Sequence, residues 1–319
     1  MYKVLLFGSG ALGSVFAWRL QSTGAVEITA VCRSNYEAVR QHGFRIKSLA
    51  YGDHVYKPSR VVRSVEEAVG DAGSSYDYIL VCTKALPNLG DNSGQIAAAV
   101  ASGRTTIVLI QNGIGIEDPF HARYPGNEVL SVVAYIDVSQ PEDGVIEHGG
   151  NAVLTMGPVG GGPAEALARV WRDGGVACSV VENIQALRWV KLAWNASFNT
   201  VAVASGGNDS RGMVDDPECR RLVYAIMVEV YRLGEAATGA PLPEARGIAG
   251  PEQLLAHTEK PGVVVVPSML MDFWGKRPLE HDVILGRPIR IARELGVAVP
   301  HMETVHALLR MIEKQYLSD

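Results

Sequence analysis

Cysteine is scarce in this chain. Four occur in 319 residues, Cys32, Cys82, Cys178 and Cys219, with no CxxC pair. That spacing argues against a disulfide scaffold and a thiolate zinc site, so no metal is expected; it fits a reduced, cytoplasmic protein. Cys82 and Cys178 sit in apolar strand-like runs and read as small core residues. Long apolar runs are missing too: none approaches the ~18–20 residues of a membrane span, so no membrane partner is expected. Neither charge dominates. The 29 Lys and Arg against 34 Asp and Glu leave −5, which lacks the basic footprint of a nucleic-acid binder. No signal peptide is read, because Met1 leads straight into a strand-like run and a glycine loop. Internal repeats and a disordered tail are not seen. What is present is a 47% hydrophobic chain, longer than one core usually serves. Two domains are expected, 1–182 and 183–319.

The first half alternates strands and helices. Tyr2–Phe7 (YKVLLF) reads as a buried strand. It runs into Gly8, Ser9, Gly10, Ala11, Leu12 and Gly13, followed by an amphipathic helix. This is G-x-G-x-x-G between a strand and a helix, the context that makes it a dinucleotide loop. Gly8 permits the tight turn, Gly10 lets a pyrophosphate approach the backbone, and Gly13 lets the helix pack on the strand. The helix N-terminus offers free N–H groups to the phosphates. A second strand, Glu27–Cys32, ends in Arg33-Ser34-Asn35. NAD-preferring folds usually place Asp or Glu here, whereas Arg33 would pair with a 2′-phosphate, with Ser34 and Asn35 as further donors. NADPH is therefore the expected cofactor; the alternative for Arg33 is a solvated strand-end arginine.

A strand near Val55–Val62, a short helix at Ser64–Val69 and a strand Tyr76–Cys82 follow. Lys84, just beyond that strand, is placed to meet a cofactor phosphate or ribose, and reads almost equally well as a surface lysine. A helix over Gln95–Ala101 leads to a strand Thr105–Ile110, which ends in Gln111-Asn112-Gly113-Ile114-Gly115. Asn112 lies at a strand end in the expected cofactor cleft, or is a structural turn residue. Two strand-rich segments, 128–139 and 145–157, are joined by PEDG. Gly157–Pro163 reads as a flexible break before a helix Ala164–Arg172 and a strand Val176–Val181. A doubly wound sheet finished by mixed strands accounts for all of it.

The second half is helical, with Val263–Val266 ambiguous. Its first helix, Leu187–Thr200 (LRWVKLAWNASFNT), carries Lys191, Asn195 and Asn199 four residues apart. Each such step drifts by ~40°, so the three share a stripe about 80° wide. The rest of the cylinder is apolar nearly all round, which marks a buried helix. A buried lysine and two amides need partners. On the helix alone, a satisfied internal network or a subunit contact reads as well as an active site.

With these residues in view, the chain resembles the ketopantoate reductase (2-dehydropantoate 2-reductase) family over nearly its whole length. The matching segments are GSGALG at 8–13, Arg33, Lys84, QNGIG at 111–115, WVKLAWNASFN at 189–199, PSMLMDF…KRPLEHDVILG at 267–286 and GVAVPHMETVHALL at 296–309. Their order and spacing together are specific. The resemblance implies an α/β fold, an N-terminal Rossmann-type doubly wound sheet followed by an all-helical C-terminal domain, with the active site between them. It implies reduction of a 2-oxo acid by NADPH, and it allows a homodimer.

Residue by residue, Lys191 matches the family's proton donor to the ketone oxygen, and Glu280 the acid that helps hold cofactor and substrate. Asn195 and Asn199 match helix amides that contact substrate, Ser268 a substrate-contacting serine, and Asn112 a residue touching both cofactor and substrate. Lys84 and Arg33 match cofactor contacts. Lys191 is then expected to point at the nicotinamide, with the amides running ~12 Å along the substrate side. Hydride transfer builds negative charge on the ketone oxygen. A buried ammonium, its pKa lowered from about 10.4, stabilises that charge and delivers the proton.

Pro267, Met271, Leu279, Leu285 and Thr200 stand where the family commonly has Ser, Gln, Thr, Asn and Pro, all towards the substrate side. Two alternatives stay open. One is a related dehydrogenase acting on another 2-oxo acid, a 3-hydroxy acid or a polyol phosphate. The other is a non-catalytic regulator that senses NADPH.

Overall fold

The computed structural model describes residues 1–70, 75–159 and 164–317. Residues 160–163 of the glycine-rich break lie outside that range. The chain separates into two compact units. The first comprises 1–84, 91–111 and 116–184, and the second 85–90, 112–115 and 185–319.

The first unit is built on one sheet. Its strands are β1 (Tyr2–Phe7), β2 (Val26–Val31), β3 (Phe44–Ser48), β4 (His54–Tyr56), β5 (Arg60–Val62), β6 (Tyr78–Val81), β7 (Thr106–Leu109), β8 (Val129–Glu142), β9 (Val145–Pro158) and β10 (Ala177–Val180). Their order is β4-β3-β9-β8-β7-β6-β1-β2-β5, with β10 also on β9. From β5 to β8 all neighbours are parallel, the doubly wound order whose reversal falls between β1 and β6. The β8–β9 hairpin is antiparallel. Fourteen residues long, β9 pairs with β3 along its first part and β10 along its last. The expected strand at 55–62 is two short strands, β4 and β5, at opposite edges of the sheet. Between β2 and β4 the polar connection folds as a helix and strand β3.

The helices of this unit are α1 (Ala11–Gln21), α2 (Tyr36–His42), α3 (Val65–Val69), α4 (Asn92–Gln95), α5 (Asp118–Arg123) and α6 (Ala164–Asp173). The expected helix at 95–101 is instead the end of α4 and a 3₁₀ turn at Ala97–Ala99. Ser64 caps α3 by accepting from the Glu67 N–H. In the core Phe16 and Trp171, both fully buried, meet edge to face at 6.3 Å, and the indole N–H donates to the Phe16 carbonyl at 3.2 Å. This ties α6 to α1 on one face of the sheet.

The second unit is helical: α7 (Ile184–Trp194), α8 (Thr200–Ala204), α9 (Ser210–Asp215), α10 (Pro217–Thr238), α11 (Pro251–Thr258), α12 (Ser268–Trp274), α13 (Arg287–Leu295) and α14 (Pro300–Leu317). Asp216 caps α10, with Pro217 in its first turn and left-handed Gly239 at its end. Val263–Val266 forms no strand; Val265 exchanges hydrogen bonds with Ser210 through its N–H and carbonyl. Two π-helical segments interrupt the helices, Asn195–Asn199 between α7 and α8 and Asp282–Gly286 before α13, and they pack against each other. No helix among the described residues is long and apolar enough to cross a membrane.

Candidate active site

The glycine loop sits at the end of β1, at the reversal point of the sheet. Gly8 has φ +105°, and a Cβ there would lie 2.4 Å from the Thr83 nitrogen. The turn therefore lies against the end of β6, and only glycine fits. A Cβ on Gly13 would lie 2.2 Å from the Gly8 carbonyl, whereas one on Gly10 would meet nothing within 4 Å. Two of the glycines thus allow close packing, and the third faces open space. Gly10 also opens α1 with no side-chain cap, so the helix's first N–H groups have no competing side-chain acceptor there. Buried Ser9 donates to the Val31 carbonyl at 2.6 Å, which fixes the loop to the end of β2.

At that end Arg33 is exposed. Its guanidinium donates to Gln95 Oε1 at 2.7 Å and lies 5.4 Å from the Phe7 ring centre. Asn35, expected as a further donor to a phosphate, is instead buried and donates to the Ser9 carbonyl at 2.8 Å. Lys84 is exposed, and its carbonyl accepts from Asn92 at 2.9 Å.

A second group of predicted residues comes together within the helical unit. Lys191, in the last turn of α7, donates through Nζ to Asn112 Oδ1 at 2.8 Å. The turn that carries Asn112 is held twice. Arg188, one helical turn before Lys191 and buried, donates to the Gly113 carbonyl at 3.3 Å. The Ile114 N–H donates to the Val283 carbonyl at 3.0 Å. Gly113 has φ +97°, and a Cβ there would fall 2.6 Å from Val283; this turn also tolerates only glycine. Glu280, buried, accepts from the Ala85 N–H through Oε1 at 2.9 Å.

Burial drives the Lys191 pKa down from its ordinary value to about 7, with the Arg188 charge adding to the fall and the Glu280 carboxylate opposing it. An ammonium near neutrality exchanges its proton readily at physiological pH.

The amide stripe departs from a regular α-helix. Asn195–Asn199 is one π turn, with i→i+5 bonding and one extra residue. The hydroxyls there engage backbone carbonyls: Ser197 donates to the Ala193 carbonyl at 2.7 Å, and Thr200 to that of Ala196. Asn199 Nδ2 donates to Asn195 Oδ1 at 3.2 Å. Asn199 Oδ1 accepts from Ser268 Oγ at 3.4 Å and the Met269 N–H at 3.3 Å. With 1% exposure, Asn199 is thus turned inward and joins Asn195 to the start of α12. Sequence reasoning missed Arg188, although its i−3 spacing from Lys191 places both on one helix face.

Residues 4–161 match the family model described as Ketopantoate reductase PanE/ApbA, and residues 183–313 match the model of its C-terminal part. The chain belongs to the ketopantoate reductase family. Among solved structures, 2-dehydropantoate 2-reductase from Methylococcus capsulatus is 37% identical, covers 98% of this chain and 97% of its own, and superposes with a TM-score of 0.85. The Meiotically up-regulated gene 72 protein of Schizosaccharomyces pombe is 29% identical over 99% of this chain, which spans 57% of that relative's length. D-mandelate dehydrogenase, solved with NADH and anilino(oxo)acetate, has the same fold at 21% identity, with 99% of both chains covered and a TM-score of 0.85. Ketopantoate reductase family membership makes the chain an oxidoreductase.

Proposed function

We propose that the protein reduces a 2-oxo acid with NADPH, foremost 2-dehydropantoate to pantoate on the route to pantothenate. We place it in the cytoplasm, where four free cysteines stay reduced, with a homodimer as its assembly. In this reading 1–182 binds the nucleotide and 183–319 the substrate. The observation that carries it is Lys191, bonded to Asn112 at 2.8 Å with its pKa drawn to about 7.

NADPH, when bound, supplies the hydride. Gly8, Gly10 and Gly13 shape the turn that accepts its pyrophosphate, and Arg33, with Lys84, answers the phosphorylated ribose. Lys191 hydrogen-bonds the ketone oxygen and passes it a proton as the carbonyl carbon is reduced. The hydroxy acid leaves with one added hydride and one added proton, and Lys191 is left neutral. Asn112 holds the ammonium in place, and Glu280 keeps positive charge on it. Asn195 and Ser268 face the substrate, and Asn199 holds them together.

Lys191→Ala tests the assignment. kcat should fall by roughly 10²–10⁴-fold with the fold intact; a variant keeping most of the wild-type kcat overturns it. A second reading keeps the reaction and changes the acid. It rests on Pro267 and Met271, which replace polar family residues beside Ser268. A panel of 2-oxo and 3-hydroxy acids separates the two readings. Tight NADPH binding with no turnover on any of them would instead mark a sensor.

A further inference from the structure

Beneath Glu280 lies a buried cluster that the proposed chemistry does not use. Glu313, on α14 and nearly fully buried, divides its two carboxylate oxygens between the residues flanking Glu280. Oε1 accepts from the Leu279 N–H at 2.7 Å, and Oε2 meets His281 Nε2 at 2.9 Å. The other nitrogen of that buried ring, Nδ1, lies 3.3 Å from His306 Nε2, also on α14. Leu279 is fully buried. The backbone on both sides of Glu280 is therefore clasped to α14, and residue 280 itself is left to reach the Ala85 N–H.

The surroundings make the clasp stiff. Burial holds the His306 pKa at about 4, aided by the charges of His281 and Arg310, so this ring is neutral near pH 7. Asp282, next in the chain, is bound by Arg290 at 2.9 Å, which keeps its carboxyl below the usual range. A Cβ on Gly286 would sit 2.5 Å from Asp282 Oδ1 and 3.2 Å from His306 Nε2; the π turn closes onto the cluster because residue 286 has none. A buried carboxylate with two donors is costly to disturb, since removing one partner leaves the other unmatched.

We propose that Glu313 and His281 are positioning residues, which hold the Glu280 carboxylate where its charge acts on Lys191. This rests on the Lys191–Glu280 assignment above. Glu280 favours the ammonium, so a slackened clasp lets the Lys191 pKa fall. The groups acting on Lys191 are Arg188 and Glu280; those around the clasp are His306, Asp282, Arg290, Arg310 and Tyr316.

The test compares wild type, Glu280→Gln, Glu313→Gln, His281→Gln and the double variant Glu280→Gln/Glu313→Gln. Two readouts are followed against pH: acetylation of Lys191 by acetic anhydride in the free protein, quantified by mass spectrometry, and kcat/KM with ketopantoate. Glu313→Gln and His281→Gln should each move both profiles to lower pH by about one unit, in the direction of Glu280→Gln. The double variant should move no further than Glu280→Gln alone, because the clasp works through that side chain. Melting curves identify a variant that does not fold, and the other then carries the test. A shift in Glu280→Gln with none in the folded clasp variants, or additive shifts in the double variant, overturns the clasp. No shift in Glu280→Gln itself overturns the underlying assignment instead.

Discussion

The proton-donor role proposed for Lys191 should announce itself in the pH dependence of the free enzyme. kcat/KM reports groups of the free enzyme and so reads Lys191 directly. With a pKa of about 7, roughly half the molecules carry the ammonium at pH 7, ~10% at pH 8 and ~1% at pH 9. Reduction needs the protonated form, so kcat/KM should be level below neutrality and fall about tenfold per unit above it. A lysine with an ordinary pKa would keep the rate level to about pH 10. The perturbation that separates causes is Arg188→Gln. Burial stays and a neighbouring positive charge goes, so the pKa must rise, and the falling limb should move up by about half a unit to one unit. The shorter glutamine gives up the bond of Arg188 Nη1 to the Gly113 carbonyl, and the Ile114–Val283 bond still holds the turn bearing Asn112. The assay is NADPH oxidation over pH 5.5–10, a range set about the pKa of 7, with limiting ketopantoate at constant ionic strength. A wild-type profile level to pH 9, or a limb that Arg188→Gln leaves in place or lowers, would refute the reasoning.

Arg33→Ala should weaken NADPH binding about 10–100-fold, the worth of one or two charge-assisted hydrogen bonds, and leave NADH binding nearly unchanged; equal losses in calorimetric titrations would count against a phosphate contact. Gly113→Ala places a methyl group 2.6 Å from Val283 at φ +97°, and should cost about 2–5 kcal/mol in chemical denaturation while displacing Asn112 and lowering turnover. Asn199→Ala removes the link between Asn195 and α12, and should cost about 1–3 kcal/mol. Because Asn199 is almost fully buried, its loss should raise KM through displaced neighbours, and Asn199→Asp should fail to restore it.

The sheet-bearing half was legible where local chemistry decides structure. The glycine loop, its strand and its helix follow from residues within twenty positions of one another, and β8 and β9 carry long β-rich runs joined by an obvious turn. Strand β3 escaped because its composition is mixed, its near partner β4 is only three residues long, and its other partner β9 lies some hundred residues on. The split between β4 and β5 escaped because one β-rich run, 55–62, divides between two partners, β3 and β2. In the helical half, the stripe marked Lys191, a strand end marked Asn112 and the resemblance alone named Glu280; the structure bonds Lys191 to Asn112. Their supports were not legible. Arg188 looks like any helix arginine, and the contact of Glu280 with Ala85 joins residues 195 positions apart. Asn35 was misjudged because a polar residue at a strand end reads as a ligand donor until the loop above it is seen to need one.

The π turn at Asn195–Asn199 carries a consequence for the whole lysine helix. One extra residue in a turn sets everything beyond it back by ~100° relative to an unbroken helix. The α7 portion therefore keeps its own angular frame, aimed by Arg188 and Lys191, while the α8 portion is indexed to α12 and α14, on which it packs. The apparently all-round apolar cylinder is two amphipathic faces spliced out of phase. A regular α-helix bearing the same fourteen residues could satisfy one of those frames, and would present the other half's apolar side chains to the wrong neighbours.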